Sequence, residues 1–286
     1  MSIIKKLYKN GNLAINAPSI LDIHYEVMMG SVAYGANQDK SDLDIHAFST
    51  PKLEIMFPHL TGAIPGFGSS PAKAETFQMH NIIANEKNYD IVIYPLVKLF
   101  QLAADNNPNV LDMLWVPEHC ILHMDQIGEY VRQNRKHFLH KGCFQKFRGY
   151  AYAQLKKLES SPRAELVELY GYDSKHLYHI IRLGLQCQQI LQEGDMDISI
   201  NGELLKAIRR GEWTLEYAKE RFHQKLEELD KLYIESKLQY APDMGFLRNM
   251  LMVCIEMKYG SIASMQNNSD GVAFRKLEEI RSIINR

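Results

Sequence analysis

The apolar residues of this chain change their spacing near residue 125, and this change limits the folds open to it. Before that point, short runs rich in β-branched and aromatic residues (HYEVMM, LDIHAF and YDIVIY) alternate with turns, as is typical of β-strands. After it, the spacing is helical almost to the end of the sequence. The pattern therefore predicts a half of mixed α and β structure over residues 1–120 and an all-α domain over residues 121–286.

Glycine, proline and small polar residues mark the breaks between these elements. The segment FPHLTGAIPGFGSSPAK, at 57–73, is dense in Gly, Pro and Ser, which predicts a long surface loop. A helix is expected to stop at 106–108 and to restart after Asn109. In the second half, the predicted helices lie near 126–141, 143–159, 163–170, 174–192, 203–210, 214–236, 243–259 and 270–284.

The composition excludes several classes of protein. The net charge is only −1 and 46% of the residues are apolar, so the chain has enough apolar surface to avoid the disordered class. No apolar run reaches the ~18 to 20 residues that span a bilayer, and the N-terminal segment lacks the apolar core of a signal peptide. We therefore expect a cytoplasmic protein without a membrane segment, whose four scattered cysteines are buried thiols.

One stretch of the chain concentrates positive charge. Residues 132–157 hold eight basic and no acidic residues, so the remainder of the chain, whose total is −1, carries −9. Aromatic residues such as Tyr150 and Tyr152 interleave the basic ones, an arrangement that suits phosphate pairing and base stacking with RNA. Packed aromatic residues beside solvated basic ones remain the alternative. The residues predicted to contact nucleic acid are Arg135, Lys141, Lys146 and Arg148.

The segment VMMGSVAYGANQDKSDLDIHAF gives the strongest indication of chemistry. Gly30 and Ser31 follow a predicted strand and open a short helical turn, whose backbone N–H groups can hold phosphate oxygens. Asp42 and Asp44 are two residues apart on the next strand, so both carboxylates face the same side. Like charges so placed need a cation, and a pair of Mg²⁺ ions suits oxygen ligands. Asp90, in the third run, is the natural third carboxylate if its strand lies beside the second.

Together these residues resemble the DNA polymerase beta-like nucleotidyltransferase superfamily, whose signature is a Gly-Ser turn, a strand with Asp-x-Asp and a later strand with a third Asp. The chain is most similar to the RNA-repair-associated predicted nucleotidyltransferases of bacteria and phages. The segments NNPNVLDMLW, FRGYAYAQLKKL, GYDSKHLYHIIRL and IRRGEW resemble helical landmarks of that group. The resemblance implies an α+β fold, in which a polymerase beta-like palm with a mixed sheet and flanking helices is followed by an all-α domain that closes over the NTP.

The resemblance also implies roles for individual residues. Asp42 and Asp44 would bind two Mg²⁺ ions, for which Mn²⁺ can substitute. Asp90 would bind the catalytic ion and accept the proton of the acceptor hydroxyl. Two positions depart from the family pattern, since Val32 stands where a basic residue is common and His46 where arginine is frequent. The residues of this segment that the resemblance assigns to the nucleotide are Gly30, Ser31, Tyr34 and Ser41.

A second group of candidate residues lies on the predicted helix after GYDS. Lys175, His179 and Arg182 are spaced i, i+4 and i+7, which places them on one helix face. Opposite the carboxylates across a cleft between the domains, three basic groups would hold the triphosphate. The alternative is a solvated helix face with a structural histidine.

Several histidines and cysteines between 119 and 143 have spacings that resemble zinc sites. Cys120 with His123, and His137 with His140, are the pairs concerned. No second, CxxC-like pair of ligands in the sequence supports a zinc site. We therefore favour packing and helix-surface roles for these residues.

These observations predict a Mg²⁺-dependent enzyme that transfers a nucleoside monophosphate from an NTP to an acceptor hydroxyl. The favoured acceptor is an RNA 3′ end, in RNA repair or tRNA modification, and the expected location is the cytoplasm, or the host cytoplasm if a phage encodes the protein. One alternative is nucleotidylation of a protein or small molecule, as in toxin-like relatives. The other is a nucleotide-binding regulator that has lost turnover and acts through its helical half.

Overall fold

The computed structural model describes most of the chain. The residues it describes are 2–15, 18–36, 42–61, 64, 67, 74–155, 157–158, 163–260, 280 and 283. Three predictions lie wholly or largely outside these residues. They are the assignment of Ser41 to the nucleotide, the helix at 270–284 and the loop at 57–73.

One five-stranded sheet forms within the described residues, with the strand order β3-β4-β2-β1-β5. Its central strands β2 and β4 are parallel, whereas β1 runs antiparallel to β2 and β5, and β3 runs antiparallel to β4. The sheet is therefore mixed, and the three predicted strand runs are its three central strands. The strands are β1 (Ile23–Met28), β2 (Leu43–Ser49), β3 (Phe77–Ala84), β4 (Lys87–Pro95) and β5 (Ile121–Met124).

The two edge strands, β3 and β5, were not predicted. The alternation of β3 is broken by a bulge between Met79 and Ile82, where Asn81 takes a left-handed φ of 58°. The strand β5 has only four residues, and none of its side chains is fully buried. Edge strands need less apolar surface than central ones, so their pattern along the sequence is weak.

Helices flank the sheet and make up the second half of the chain, as predicted. The twelve α-helices of the described residues are α1 (Ile3–Lys9), α2 (Gly30–Ala33), α3 (Leu53–Met56), α4 (Leu96–Ala104), α5 (Pro108–Leu114), α6 (Gln126–Gln133), α7 (Cys143–Leu155), α8 (Ala164–Tyr170), α9 (Ser174–Glu193), α10 (Gly202–Arg209), α11 (Leu215–Glu235) and α12 (Met244–Tyr259). Helix α4 packs on β2 and β4, and α6 packs on β1. Helix α9 lies at the centre of the helical half, in contact with α7, α10 and α11.

Apolar side chains cover both faces of the central strands. Ile45 and Ile91 belong to the core on the α1 side, whereas Phe48 belongs to the core shared with the helical half. Successive side chains of a strand point to opposite faces. Asp44 is four residues before Phe48, so it lies on the same face of the sheet as Phe48. Asp90 is next to Ile91, so it lies on the face opposite Ile91. Both carboxylates therefore face the helical half.

The predicted domain boundary at residue 120 separates a strand from its sheet. Strand β5 follows this boundary and pairs with β1. Helix α12 packs against α4 and α6, and one apolar core contains both Tyr25 of β1 and Met250 of α12. The sheet-bearing half therefore ends after β5, and the two halves share a core.

None of the described helices is both long and apolar enough to cross a membrane. The cytoplasmic location stays a prediction. All four cysteines are buried and form no disulfide, as predicted, and they are Cys120, Cys143, Cys187 and Cys254.

A buried ion pair joins the helical half to the turn after β1. Asp112, on α5, accepts hydrogen bonds from Tyr34 Oη (2.6 Å), from Gln186 Nε2 (3.0 Å) and from Nη1 of Arg182. The Arg182 guanidinium also lies 4.2 Å from the centre of the Tyr34 ring. Burial acts to lower the pKa of Arg182. Tyr34 and Asp112 act to raise it by more, so the pKa of Arg182 is raised overall. Arg182 is therefore charged, and the cluster holds α9 against α2.

The substitution Asp112→Asn should lower the free energy of unfolding by about 3 to 5 kcal/mol, because it leaves a buried guanidinium without its counter-charge. Denaturant titration followed by circular dichroism measures this loss. The control is Asp230→Asn, which removes an exposed partner 3.7 Å from Arg148 and should cost less than about 1 kcal/mol. Equal losses in the two variants would contradict the structural role of the buried pair.

Candidate active site

Three aspartates meet on the sheet face that is turned toward the helical half. Asp44 lies on β2 directly opposite Asp90 of the parallel strand β4, and Asp42 immediately precedes β2. The three predicted metal-binding carboxylates line one cavity of about 350 Å³. The strand register and the alternation of side chains therefore bring together residues that are up to 48 positions apart in the sequence.

The turn after β1 closes the cavity on one side, and Gly30 is required there for two reasons. Its φ is +64°, a conformation that favours glycine. A Cβ at this position would also lie 1.9 Å from Oδ2 of Asp44. The backbone N–H of Met29 donates to the carbonyl of Asp44 (2.7 Å), which fixes the turn to β2. Gly30 and Ser31 both line the cavity, and their role in holding phosphate stays a prediction.

Residues of the β3 bulge contact Asp90, and a residue at the start of β4 contacts Asp42. The backbone N–H of Asn81 donates to Oδ1 of Asp90 (2.9 Å), and Nδ1 of His80 lies 3.2 Å from Oδ2 of the same carboxylate. Asn88 Nδ2 donates to Oδ1 of Asp42 (3.0 Å). These contacts orient the carboxylates of Asp42 and Asp90. Sequence reasoning missed the contacts to Asp90 because they depend on the unpredicted strand β3, and it missed Asn88 because this residue lies just before the predicted run YDIVIY.

The helical half supplies the opposite wall of the cavity. Asp173 caps α9 by accepting hydrogen bonds from the backbone N–H groups of Lys175 (2.8 Å) and of the next residue (3.1 Å), which sets where the helix begins. The cavity is lined on this side by Lys175, Tyr178, His179 and Arg209. Carboxylates from the sheet thus face two basic side chains from the helices.

Burial and neighbouring charges shift the pKa values of two residues that line the cavity, Asp44 and His179. Burial, followed by the negative charge of Asp90, raises the pKa of Asp44, although Lys175 opposes the shift. Burial, followed by the positive charges of Arg182 and Lys175, holds the pKa of His179 well below its usual value. His179 is therefore neutral near pH 7, and the structure does not support its predicted role as a cation.

Arg182 also departs from its predicted position. It lies two turns after Lys175 on the same face of α9, but at that point the helix is buried against α5, and Arg182 pairs with Asp112 instead of lining the cavity. Tyr34 lines the cavity while its hydroxyl donates to Asp112. Of the three basic residues predicted to hold the triphosphate, only Lys175 is a cation placed in the cavity.

Two residues that line the cavity were not predicted. Arg209, at the end of α10, donates from Nη1 to the carbonyl of Ala36 (3.3 Å), and its guanidinium lies 5.8 Å from the ring centre of Tyr178. Arg209 belongs to the segment IRRGEW, which resembles a helical landmark of the family, and this resemblance could have indicated Arg209 as a site residue. Tyr178 lies beside His179 on α9 and carried no signal of its own.

The basic residues predicted to contact nucleic acid have partners inside the protein. Lys141 is 4% exposed, and its ammonium lies 4.7 Å from the centre of the Tyr240 ring. Arg135 donates from Nη1 to the carbonyl of Arg132 (2.8 Å) and lies over the Trp115 ring at 5.2 Å. Both side chains are therefore held by contacts within the protein.

The other two residues of that set pair with acids from distant segments. Lys146 pairs with Asp105, and Arg148 lies 3.7 Å from Asp230. The stretch 132–157 is unbalanced along the sequence because its acidic partners come from elsewhere. The structure therefore does not support the predicted nucleic-acid contact through these four residues.

Several histidines that attracted attention in the sequence have structural surroundings. His46 lies half-buried beside Tyr94, and desolvation lowers its pKa to about 4. It does not line the cavity, so it gives no phosphate contact in place of the arginine frequent at this position. His137 stacks on Phe246 with ring centres 3.9 Å apart, and Nε2 of His140 lies 2.9 Å from a backbone carbonyl.

The three carboxylates suit a magnesium ion that keeps water and substrate ligands better than a metal ion enclosed by protein ligands alone. No three His, Cys, Asp or Glu side chains of the described residues stand together as a complete metal-binding group. Mg²⁺ does not need one, because it keeps several waters and is bound by one or two carboxylates together with substrate phosphates. The hard oxygens of Asp42, Asp44 and Asp90, and the burial and repulsion that raise the pKa of Asp44, fit such an ion.

A mixed sheet whose parallel central strands bring three carboxylates to a glycine turn is the architecture of the polymerase beta-like nucleotidyltransferases. Residues 13–239 match the model of the RNA repair pathway DNA polymerase beta family (RlaP), and the chain belongs to that family. Among solved structures, it is similar to a nucleotidyltransferase-like protein from Exiguobacterium sibiricum, with 10% identity and a TM-score of 0.30 over 96% of this chain and 88% of that one. No curated protein matches the chain.

The raised pKa of Asp44 makes a prediction for the metal-free protein. A carboxyl whose pKa is raised in the folded state stabilises the fold while protonated, below its unfolded pKa of about 3.9, and this stability is lost as the pH rises through the folded value. Asp44→Asn should therefore unfold at the same or a higher temperature than the wild type at pH 8 in EDTA. The difference should vanish near pH 4.

Thermal unfolding followed by circular dichroism from pH 4 to pH 8 measures this dependence. The matched control is Glu227→Gln, on the exposed side of α11, which should follow the wild type at every pH. A lower unfolding temperature for Asp44→Asn at pH 8 would contradict the repulsion in the cavity.

Proposed function

We propose that this protein transfers a nucleoside monophosphate from an NTP to an acceptor hydroxyl, in a Mg²⁺-dependent reaction whose favoured acceptor is an RNA 3′ end. One observation carries the proposal. The carboxylates of Asp42, Asp44 and Asp90 face Lys175 and Arg209 across a single cavity of about 350 Å³ between the two halves.

The carboxylates are the groups that would hold the metal. Asp42 and Asp44 would bind two Mg²⁺ ions, or Mn²⁺ in their place, and Asp90 would bind one of them. Bound there, the ions would stabilise negative charge on the reacting phosphate and on the leaving pyrophosphate. The protein itself orients Asp90 through Asn81 and holds Asp44 beside Gly30.

The reaction needs little covalent chemistry from the protein. The oxygen of the acceptor hydroxyl forms a bond to the α-phosphorus, and the bond from that phosphorus to the bridging oxygen breaks, so that pyrophosphate leaves. The hydroxyl proton passes to Asp90. Positioning and charge stabilisation supply most of the rate enhancement in such reactions.

The helical half supplies the charges for the triphosphate. Lys175 and Arg209 carry positive charge into the cavity opposite the carboxylates, and a divalent metal neutralises only part of the triphosphate. Ser31 and the backbone of the Gly30 turn lie on the same wall as the carboxylates. His179 is neutral, so it contributes a ring and a ring nitrogen to this site but no charge.

Membership of an RNA repair pathway family supports an RNA acceptor over the alternatives. Incubation with each labelled NTP, Mg²⁺ and total cellular RNA and protein, followed by location of the label, tests this directly. Label in RNA supports the proposal. Label in protein or in small molecules moves the acceptor to those classes, and a lack of any transfer identifies a nucleotide-binding regulator.

The double substitution Asp42→Asn with Asp44→Asn should lower transfer by a factor of about 1,000 or more, because metal ions supply several kcal/mol of charge stabilisation. The fold should remain intact by circular dichroism. Asp230→Asn, exposed on α11 outside the cavity, should keep full activity. Equal transfer by the double variant and the wild type would place the active site elsewhere.

Lys175→Ala should weaken NTP binding by about 1.5 to 3 kcal/mol, the value of a lost charge-assisted hydrogen bond. Calorimetric titration with a non-hydrolysable NTP analogue measures the affinity. Lys98→Ala, on the exposed side of α4, is the charge-matched control and should leave the affinity unchanged. The same affinity in both variants would remove Lys175 from the triphosphate site.

A further inference from the structure

A second cavity, of about 300 Å³, adjoins the proposed active site. It lies among α5, α7 and α9, on the other side of His179, which lines both cavities. A volume of this size is at the lower end of the range for small-molecule sites. The two cavities therefore share the His179 side chain, and the proposed NTP contacts do not use the second one.

The second cavity is positively charged. Its described lining contains Lys157, Arg163 and Arg182 and no acidic side chain. Arg163 pairs with Asp173, and Arg182 pairs with Asp112, so their charges are partly neutralised from behind. Lys157 is exposed, and the described residues provide no ion pair for it. The cavity therefore suits an anion but lacks the carboxylates that a metal-bound triphosphate needs.

The remaining lining of this cavity suits a nucleobase. Tyr150 is 39% exposed, which leaves part of its ring open for stacking. Burial lowers the pKa values of His176 and His179, so both imidazoles are neutral rings near pH 7. Asn109 adds a side-chain amide that can bind base edges, and Gln154 adds its Nε2, since its Oε1 lies 2.6 Å from Nδ1 of His176. Open aromatic rings beside cations are the features that bind single-stranded nucleic acid.

We propose that this second cavity binds the terminal nucleotide of a single-stranded RNA acceptor. The inference rests on the proposed function, because it supplies the acceptor for the same reaction. The terminal base stacks on Tyr150, and a backbone phosphate of the strand pairs with Lys157. The 3′ hydroxyl passes His179 to reach the carboxylates in the first cavity.

This placement differs from the basic surface predicted from the sequence. Lys141, Lys146 and Arg148 have internal partners, whereas Lys157 comes from the same basic stretch and reaches the second cavity. An RNA strand that enters here needs no free basic surface on the rest of that stretch. The acceptor and the NTP then approach the carboxylates from different sides of His179.

Direct binding tests the inference without any transfer step. A fluorescent single-stranded oligoribonucleotide with a free 3′ hydroxyl is titrated by anisotropy at several salt concentrations, in the absence of NTP. Lys157→Ala should flatten the log-log salt slope by about 0.7, the value for one phosphate contact on a single strand. Tyr150→Ala should weaken binding by roughly five- to a hundredfold through lost stacking and leave the slope unchanged.

Two controls separate this cavity from the rest of the protein. Lys231→Ala removes an exposed charge of α11 outside both cavities, so it should change neither slope nor affinity. The affinity for a non-hydrolysable NTP analogue should be unchanged in Lys157→Ala and Tyr150→Ala. Both side chains are exposed, and circular dichroism checks that the variants keep the fold.

The outcomes distinguish the inference from the proposed function. Unchanged RNA binding in both variants, or no RNA binding by the wild type, overturns the inference even if transfer to another acceptor proceeds. Weakened NTP binding in these variants overturns it as well and assigns the cavity to the nucleotide. If the wild type transfers no nucleotide but the variants still change RNA binding as expected, the proposed function fails and the RNA site stands.

Discussion

The buried ion pair between Asp112 and Arg182 is the interaction on which the geometry of the site depends. Such a pair contributes little net stability, since the cost of burying two charges offsets most of their attraction. Separating the pair, however, leaves a buried charge without a partner, so α9 has little freedom to slide or rotate. We infer that the pair serves mainly to position α9. Lys175 lies two turns before Arg182 on that helix, and its place opposite the carboxylates follows from this constraint.

The arrangement of Asp42, Asp44 and Asp90 opposes folding when no cation is bound. Burial and the charge of Asp90 raise the pKa of Asp44, so the ionised site opposes folding when no cation is bound. Gly30 adopts a left-handed conformation with no room for a side chain, and Asn81 adopts a left-handed conformation beside Asp90. Glycine adopts this conformation without strain, whereas a left-handed residue other than glycine persists where the surrounding structure determines it, commonly at functional sites. Asn81 is such a residue, and its backbone N–H donates to Asp90, which ties the cost of its conformation to the carboxylate site.

The sequence predicted the parts of the structure that depend on local pattern. The three central strands and the helices between residues 96 and 259 follow from apolar spacing, whereas α1 and α3 were not predicted. The Gly30, Asp42, Asp44 and Asp90 group follows from a motif of two strands and a turn. The rest depends on contacts between distant segments. The strand β3 has a bulge that breaks its alternation. Arg182 has the right helix face but meets Asp112, 70 residues away, and Arg209 reaches the cavity only because α10 packs on α9.

The basic stretch at 132–157 shows why charge counted along the sequence predicts a binding surface poorly. Several of its cations pair with acids from distant segments, as Lys146 does with Asp105 and Arg148 with Asp230, which no local pattern reveals. What decides the approach of an anion is the charge that remains after folding. Two cavities on either side of His179 combine such charge with a concave surface. Carboxylates line one together with Lys175 and Arg209, and cations line the other without acids among its described lining residues. Because burial keeps His179 neutral, the ring separates the two cavities without attracting or repelling either charged ligand.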